Sequence, residues 1–412
     1  MAENARFVVV GASLAGGNAV EALREAGFKG RITLVGDERE LPYERPPLSK
    51  EYLMGKSERE KVFLHDDSWY RDHDIDLRLA TRVTSIDRSR HLVTTEAGEE
   101  IDYDRLLLAT GASPRTLPLP GADGPNVLYL RRVEDSERLR ERFARGGRLI
   151  VIGAGWIGLE AAAAAREAGV EVTVLENLEL PLLRVLGPEC ARIFADLHRR
   201  HGVDLRLGVR VEAITEEQGS SRVRLAGGEE LTADTVLVGI GASPNTGLAE
   251  AAGLEVSNGV LVDQSLRTAD PDILAAGDIA NAHHPILGKR IRVEHWDNAI
   301  GQGEAAGRSM FREGVVYDRI PYFFTDQYDL GMEYAGYVEP GGYQEVVFRG
   351  DVDKMEFIAF WLDERQRVPA GMNVNIWDVN DTIKELVRSG RPVDRARLSD
   401  ASIPLEALGS PV

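Results

Sequence analysis

Two short apolar runs, Phe7–Val10 and Leu149–Ile152, are each followed at once by glycines and then by small and apolar residues at helical spacing. A β-branched run that breaks into a helix predicts a strand–turn–helix joint. In the first copy the helix covers Ala19–Ala26 and a second strand Ile32–Val35. In the second, the strand–helix–strand unit fills Leu149–Glu176. Further apolar runs predict strands at Asp104–Thr110, ending at Gly111, and at Thr235–Ile240. Alternating residues predict strands at Val209–Ile214 and Arg222–Leu225. The arginines of Asn126–Arg148 recur at helical spacing and read as a solvated face, while Cys190 falls in a helical stretch, Pro188–His198. Past Phe324 the pattern changes to aromatic strands (Gly331–Tyr337, Glu345–Phe348, Glu356–Trp361) and a helix, Asp378–Ser389. Pro42–Lys50 holds three prolines and reads as a rigid extended loop that fixes the charge of Lys50.

The glycines make both joints chemical candidates. A glycine-rich turn that opens a helix presents backbone N–H groups and the helix N-terminus to a pyrophosphate. Gly153, Gly155 and Gly158 fill all three glycine positions of the second turn. In the first, Gly11 and Gly16 are in place and Ser13 holds the middle position. Glu176 ends the strand after the second turn, where a carboxylate accepts hydrogen bonds from a ribose 2′-hydroxyl. Asn177 and Leu178 follow, with no arginine to neutralise a 2′-phosphate, so NADH is favoured over NADPH. Asp37 and Glu38 are the corresponding ribose acceptors of the first copy. Two such turns in one chain predict two dinucleotides, the arrangement of an enzyme that relays electrons between a nicotinamide and a flavin.

Bulk properties narrow the picture. With 412 residues, 43% of them hydrophobic and 28% charged, the chain has the composition of a soluble protein of two or three domains. A net charge of −18 argues against nucleic acid and anionic membranes as partners. No apolar run approaches the roughly 20 residues of a membrane span, and no signal peptide precedes the first strand, so the expected location is cytoplasmic. Cys190 is the only cysteine, which excludes a redox-active cysteine pair beside a flavin. No metal site is expected.

Several motifs stand in a fixed order: the paired turns, R-P-P-L-S-K at Arg45–Lys50, A-T-G at Ala109–Gly111, and Y-L-R at Tyr129–Arg131. T-x-x-P-x-I-x-A-x-G-D at Thr268–Asp278, R-V-E-H-W at Arg292–Trp296 and T-D-Q-Y at Thr325–Tyr328 complete the series. Over essentially its whole length the chain resembles the FAD-dependent, NADH-using ferredoxin reductases that serve bacterial oxygenases. The resemblance implies an α/β fold with two Rossmann-like dinucleotide-binding domains, arranged as in glutathione reductase, and a C-terminal α+β domain. The expected boundaries are 1–115 and 246–324 for FAD, 116–245 for NADH, and 325–412 for the C-terminal domain.

The resemblance also implies site residues. Leu14, Ala15, Asp37, Lys50, Val83, Arg131, Asp278 and Trp296 are implied to contact FAD. Gly11, Ser13, Gly16, Glu38, Arg45, Ala109, Thr110, Gly111, Gly277, Glu294 and His295 belong to the same motifs. Gly153, Gly155, Trp156, Ile157, Gly158, Glu160, Glu176, Gly239, Ile240 and Gly241 are implied for NADH. Lys50 and Glu160 are the implied catalytic pair, an ammonium beside the flavin N5 held by a carboxylate. The implied partner is a [2Fe–2S] ferredoxin, and the implied protein a monomer or homodimer. Two rivals stay open, a monodehydroascorbate-reductase-like enzyme and an apoptosis-inducing-factor-like binding protein.

Overall fold

A computed structural model of the chain describes residues 4–217 and 219–409. They form two compact units, each assembled from separate stretches of chain. The first unit combines the chain up to Glu44 with Arg59–Ser113 and Ser243–Pro321; the second combines Arg45–Glu58, Pro114–Ala242 and the chain from Tyr322.

The first unit is built on a five-stranded parallel sheet in the order Ile273–Ala275, Arg105–Leu108, Arg6–Val10, Arg31–Val35, Ile75–Arg78. The central strands are buried on both faces, which is why they read as unbroken apolar runs. In chain order this is 3-2-1-4-5 reversed, and the connection changes direction between Arg6–Val10 and Arg105–Leu108. A ligand of such a sheet binds at that switch point, beyond the C-terminal strand ends.

The helices Leu14–Glu25 and Trp296–Phe311 pack backbone against backbone in this unit. A Cβ on Gly303 would lie 2.4 Å from the Ala15 carbonyl oxygen, and one on Gly307 2.3 Å from that of Ala19. The crossing therefore requires glycine at two positions of one helix, four residues apart, where the backbone of the other approaches. Gly307→Val should force the helices apart and destabilise the protein by about 1–3 kcal/mol, measured as a drop in the unfolding midpoint. An unchanged midpoint would contradict this packing.

The second unit contains a five-stranded parallel sheet in the order Asp204–Arg206, Glu171–Leu175, Arg148–Ile152, Thr235–Val238, Val127–Tyr129. It also contains a five-stranded antiparallel sheet, Tyr322–Gln327, Leu330–Gly336, Ala370–Val374, Glu356–Leu362, Glu345–Asp351, with the helix Asn380–Ser389. Residues of both sheets share one apolar core, from Val151 and Val174 to Trp361 and Met372.

Three local expectations need correction. Pro46–Ser49 is one 3₁₀ turn, not extended loop. Prolines at its first positions cost nothing, because their missing N–H groups would have no partner there in any case. The arginine-rich helix is confined to Val133–Ala144, since Val127–Tyr129 joins the sheet as a strand. The helix around Cys190 runs from Leu183 to Arg200 and bends at Gly187, which takes φ +74°.

Candidate functional site

Three sequence-predicted segments meet at the C-terminal edge of the first unit's sheet. Gly11 takes φ +120°, and a Cβ there would lie 2.1 Å from the Ala109 carbonyl oxygen. The first glycine turn is thus pressed against Ala109 and Thr110, which lead into Gly111 at the switch point. A Cβ on Gly16 would lie 2.0 Å from the Gly11 carbonyl oxygen, so the helix folds tightly back on its own turn. Gly277 and Asp278 join from the third side. The Gly277 N–H donates to the buried Gln302 side chain at 2.9 Å, and the Ala276 N–H to the Leu108 carbonyl at 3.0 Å.

Ser13 is the residue just before the helix Leu14–Glu25, whose first turn carries no acidic residue. That helix end is electrostatically suited to an anion. Beyond the next strand, Asp37 is exposed and lies 3.5 Å from Arg82, while Glu38 accepts a hydrogen bond from the Tyr43 hydroxyl at 2.6 Å. Val83 is buried at the start of a separate three-stranded sheet. Glu294 is exposed and pairs with Arg292. His295 immediately precedes the helix begun by Trp296, and burial lowers its pKa to about 4, leaving the ring neutral near pH 7. Gln302 carries no sequence signal, being a lone glutamine inside a helical pattern.

The second unit repeats the turn. Gly153 takes φ +102°, and its Cβ would lie 2.4 Å from the Gly239 carbonyl oxygen, as Gly11 does to Ala109. Gly239, Ile240 and Gly241 therefore occupy the switch point of this sheet. The Gly158 Cβ would lie 2.2 Å from the Gly153 carbonyl oxygen. Gly155 differs from both. Its backbone (φ −80°, ψ −179°) suits any residue, and the nearest atom to a Cβ there is 4.0 Å away. The fold does not require glycine at that position, so the turn leaves room for a ligand to pass close over its backbone. The turn thus fits a dinucleotide.

Glu176 ends the neighbouring strand with its carboxylate accepting from the N–H groups of Ala154 at 2.7 Å and Leu178 at 3.0 Å. Arg206, which receives the Glu176 N–H on its carbonyl, is itself paired with Asp204 and Glu229. The Trp156 indole packs edge-on to Phe194 and tilted against Phe323, with ring centroids 5.4 and 5.1 Å away. Its side chain is half-buried and packs against the core. Ile157 beside it is exposed.

Lys50 and Glu160 come together in this unit. The Lys50 Nζ lies 2.9 Å from the Glu160 carboxylate, with the side chains 6% and 4% exposed. Lys50 follows the 3₁₀ turn Pro46–Ser49, and Glu160 lies one turn into the helix Trp156–Glu167. The carboxylate also accepts from Ser49 Oγ at 2.5 Å and Thr325 Oγ1 at 2.6 Å. Both charges are thus compensated in a site from which water is nearly excluded. Arg45 donates to the Arg131 carbonyl at 2.5 Å, and the Arg131 N–H to Asp135 at 3.0 Å. Ser49 and Thr325 lie within sequence motifs that give neither a role, because a hydroxyl's partner is set by tertiary contact.

Cys190 is fully buried, and burial raises its thiol pKa, so no thiolate is available. Cys190→Ser should keep NADH-dependent turnover with an artificial acceptor. A variant that retains its cofactor but loses turnover would contradict this. Among the described residues no cluster of three or more His, Cys, Asp or Glu is placed to hold a metal, and no helix is long and apolar enough to cross a membrane.

Two parallel sheets, each with a glycine turn pressed against its own switch point, define an oxidoreductase with two dinucleotide sites. The chain belongs to the pyridine nucleotide-disulphide oxidoreductase family, whose pattern matches residues 5–303; residues 322–409 match the reductase C-terminal domain. Putidaredoxin reductase from Pseudomonas putida is 38% identical over 99% of this chain and 97% of its own length. Rhodocoxin reductase from Rhodococcus erythropolis is 42% identical over 86% of this chain and 83% of its own. Among solved structures, the reductase of the covalent putidaredoxin reductase–putidaredoxin complex superposes with a TM-score of 0.94 at 37% identity, covering 98% of each chain. A ferredoxin reductase from Rhodopseudomonas palustris also gives 0.94, at 36% identity over 99% of this chain and 100% of that one.

Proposed function

We propose that this chain passes electrons from NADH, through bound FAD, to a [2Fe–2S] ferredoxin that serves an oxygenase. It is a ferredoxin–NAD(+) reductase with FAD and NADH as cofactors. Bound FAD supplies the conversion between the two-electron nicotinamide and a one-electron acceptor. The observation that carries the reading is the repeated turn, Gly11 against Ala109 and Gly153 against Gly239. A ferredoxin partner agrees with the printed name of the anthranilate 1,2-dioxygenase system ferredoxin–NAD(+) reductase component, 37% identical over 97% of this chain.

The residues divide between the two sites. In the first unit, Gly11 to Gly16, Ala109 to Gly111, and Gly277 with Asp278 would hold FAD, with Asp37 and Glu38 toward its ribose. Val83, Glu294, His295 and Trp296 are carried by the family resemblance, as are Arg45 and Arg131 of the second unit. The inferred FAD domain is 1–115 with 246–324, followed in role by 116–245 for NADH and 325–412. In the NADH domain the Gly153–Gly158 turn would take the pyrophosphate, Glu176 the ribose and Gly239–Gly241 the passing chain. The Lys50 ammonium would stabilise negative charge on the acceptor ring, and Glu160 would hold that ammonium in place. We infer a cytoplasmic protein, monomeric or homodimeric.

Nicotinamide choice follows from Glu176. Its carboxylate is fixed by two backbone donors, and Arg206 is already paired twice, so a 2′-phosphate meets only repulsion. NADH should be preferred over NADPH at least tenfold in kcat/KM, about 1.4 kcal/mol. Glu176→Ala should narrow the gap. Equal values for the two nucleotides would refute the assignment.

A further inference from the structure

We propose that Thr325, Gln327 and His198 form a one-directional hydrogen-bond chain that positions the Glu160 carboxylate, and that its direction fixes the His198 tautomer. The functional half of this rests on the reading of Glu160 given above. The contacts run Glu160 Oε1 to Thr325 Oγ1 at 2.6 Å, Thr325 Oγ1 to Gln327 Nε2 at 3.1 Å, and Gln327 Oε1 to His198 Nε2 at 2.8 Å. They end at His198 Nδ1 and the Tyr328 hydroxyl, 3.3 Å apart. His198, Thr325 and Gln327 are all at most 1% exposed and Glu160 is 4% exposed, so bulk solvent does not reach the set.

The donor inventory fixes each step in turn. An ionised carboxylate only accepts, so Thr325 gives its single hydroxyl hydrogen to Glu160. Toward Gln327 the hydroxyl must then accept, which turns the glutamine NH₂ to Thr325 and its oxygen to His198. That oxygen requires a hydrogen on His198 Nε2. Burial lowers the His198 pKa to about 4, so the ring is neutral and its Nδ1 accepts from Tyr328. Every hydrogen therefore points toward Glu160. An amide does not pass protons on readily, so these are positioning residues and not a proton wire. Without the Nε2 hydrogen the Gln327 amide would gain by turning over. Its oxygen would then draw the Thr325 hydrogen away from Glu160, leaving the carboxylate one donor short. The chain joins the helix Leu183–Arg200, the strand Tyr322–Gln327 and the helix Trp156–Glu167, which sequence spacing alone would never group.

Nitrogen-15 NMR of the histidine-labelled, oxidised holoenzyme reads the tautomer directly. His198 should be the neutral Nε2–H form near pH 7, and Gln327→Leu should release it to a mixture. Thr325→Val should slow flavin reduction by NADH roughly ten- to a hundredfold, the value of a hydrogen bond to a charged group, with the NADH Kd unchanged. Thr325→Ser should restore the rate. An Nδ1–H or protonated His198 would overturn the chain whatever the rates. The expected tautomer with a wild-type rate in Thr325→Val would overturn its positioning role. A wild-type rate in Glu160→Gln would instead remove the reading of Glu160, an outcome the tautomer measurement does not share.

Discussion

Lys50→Met should slow reduction of the bound flavin by NADH by on the order of 10²–10³-fold, the usual cost of removing one electrostatic stabiliser from a water-excluded site. The same substitution leaves the Glu160 carboxylate buried without its counter-charge, which should destabilise the protein by about 3–5 kcal/mol. The two effects separate in the double variant Lys50→Met/Glu160→Met. Replacing both members of a buried pair with apolar residues is often neutral for stability, so the double variant should recover most of its unfolding midpoint while staying slow. Stopped-flow reduction and urea unfolding on the three proteins would test this. If the double variant regained both stability and rate, the pair would be a structural salt bridge and nothing more.

Gly155→Val should leave folding and FAD content nearly unchanged yet raise the KM for NADH at least tenfold, about 1.4 kcal/mol. The reason is that its backbone tolerates a side chain and, chain neighbours aside, the nearest atom to a Cβ is the Gly239 oxygen at 4.0 Å. A bound nucleotide lying over the turn would meet the new methyl groups. Gly153→Val is the contrast, because its φ of +102° and the Gly239 oxygen at 2.4 Å should make that variant fail in folding first. Isothermal titration with NAD⁺, which binds without reducing the flavin, beside a melting curve distinguishes them. Wild-type NAD⁺ affinity in Gly155→Val would remove the turn from the nucleotide site.

The parallel sheets were legible in the sequence because their central strands are buried on both faces and so read as plain apolar runs ending in glycine. Gly11, Gly153, Glu176, Lys50 and Glu160, which the proposed sites use, each sit in a local motif and so stand out in the sequence. Ser49 and Thr325 around Glu160 were not, although the motifs contained them, because which acceptor a hydroxyl finds depends on chain brought in from far away. His198 carried the opposite bias, since a buried histidine in an apolar helix reads as core. The 3₁₀ turn at Pro46–Ser49 was missed because proline excludes the interior of a helix but not its first turn.

The central claim is that electrons leave this protein one at a time for an iron–sulfur protein. The direct measurement is steady-state turnover of the FAD-loaded enzyme with NADH and a small [2Fe–2S] ferredoxin, run beside a rubredoxin and monodehydroascorbate as alternative acceptors. The account predicts saturable ferredoxin reduction with kcat/KM well above that for either alternative. Rapid NADH oxidation with monodehydroascorbate and none with the ferredoxin would contradict it.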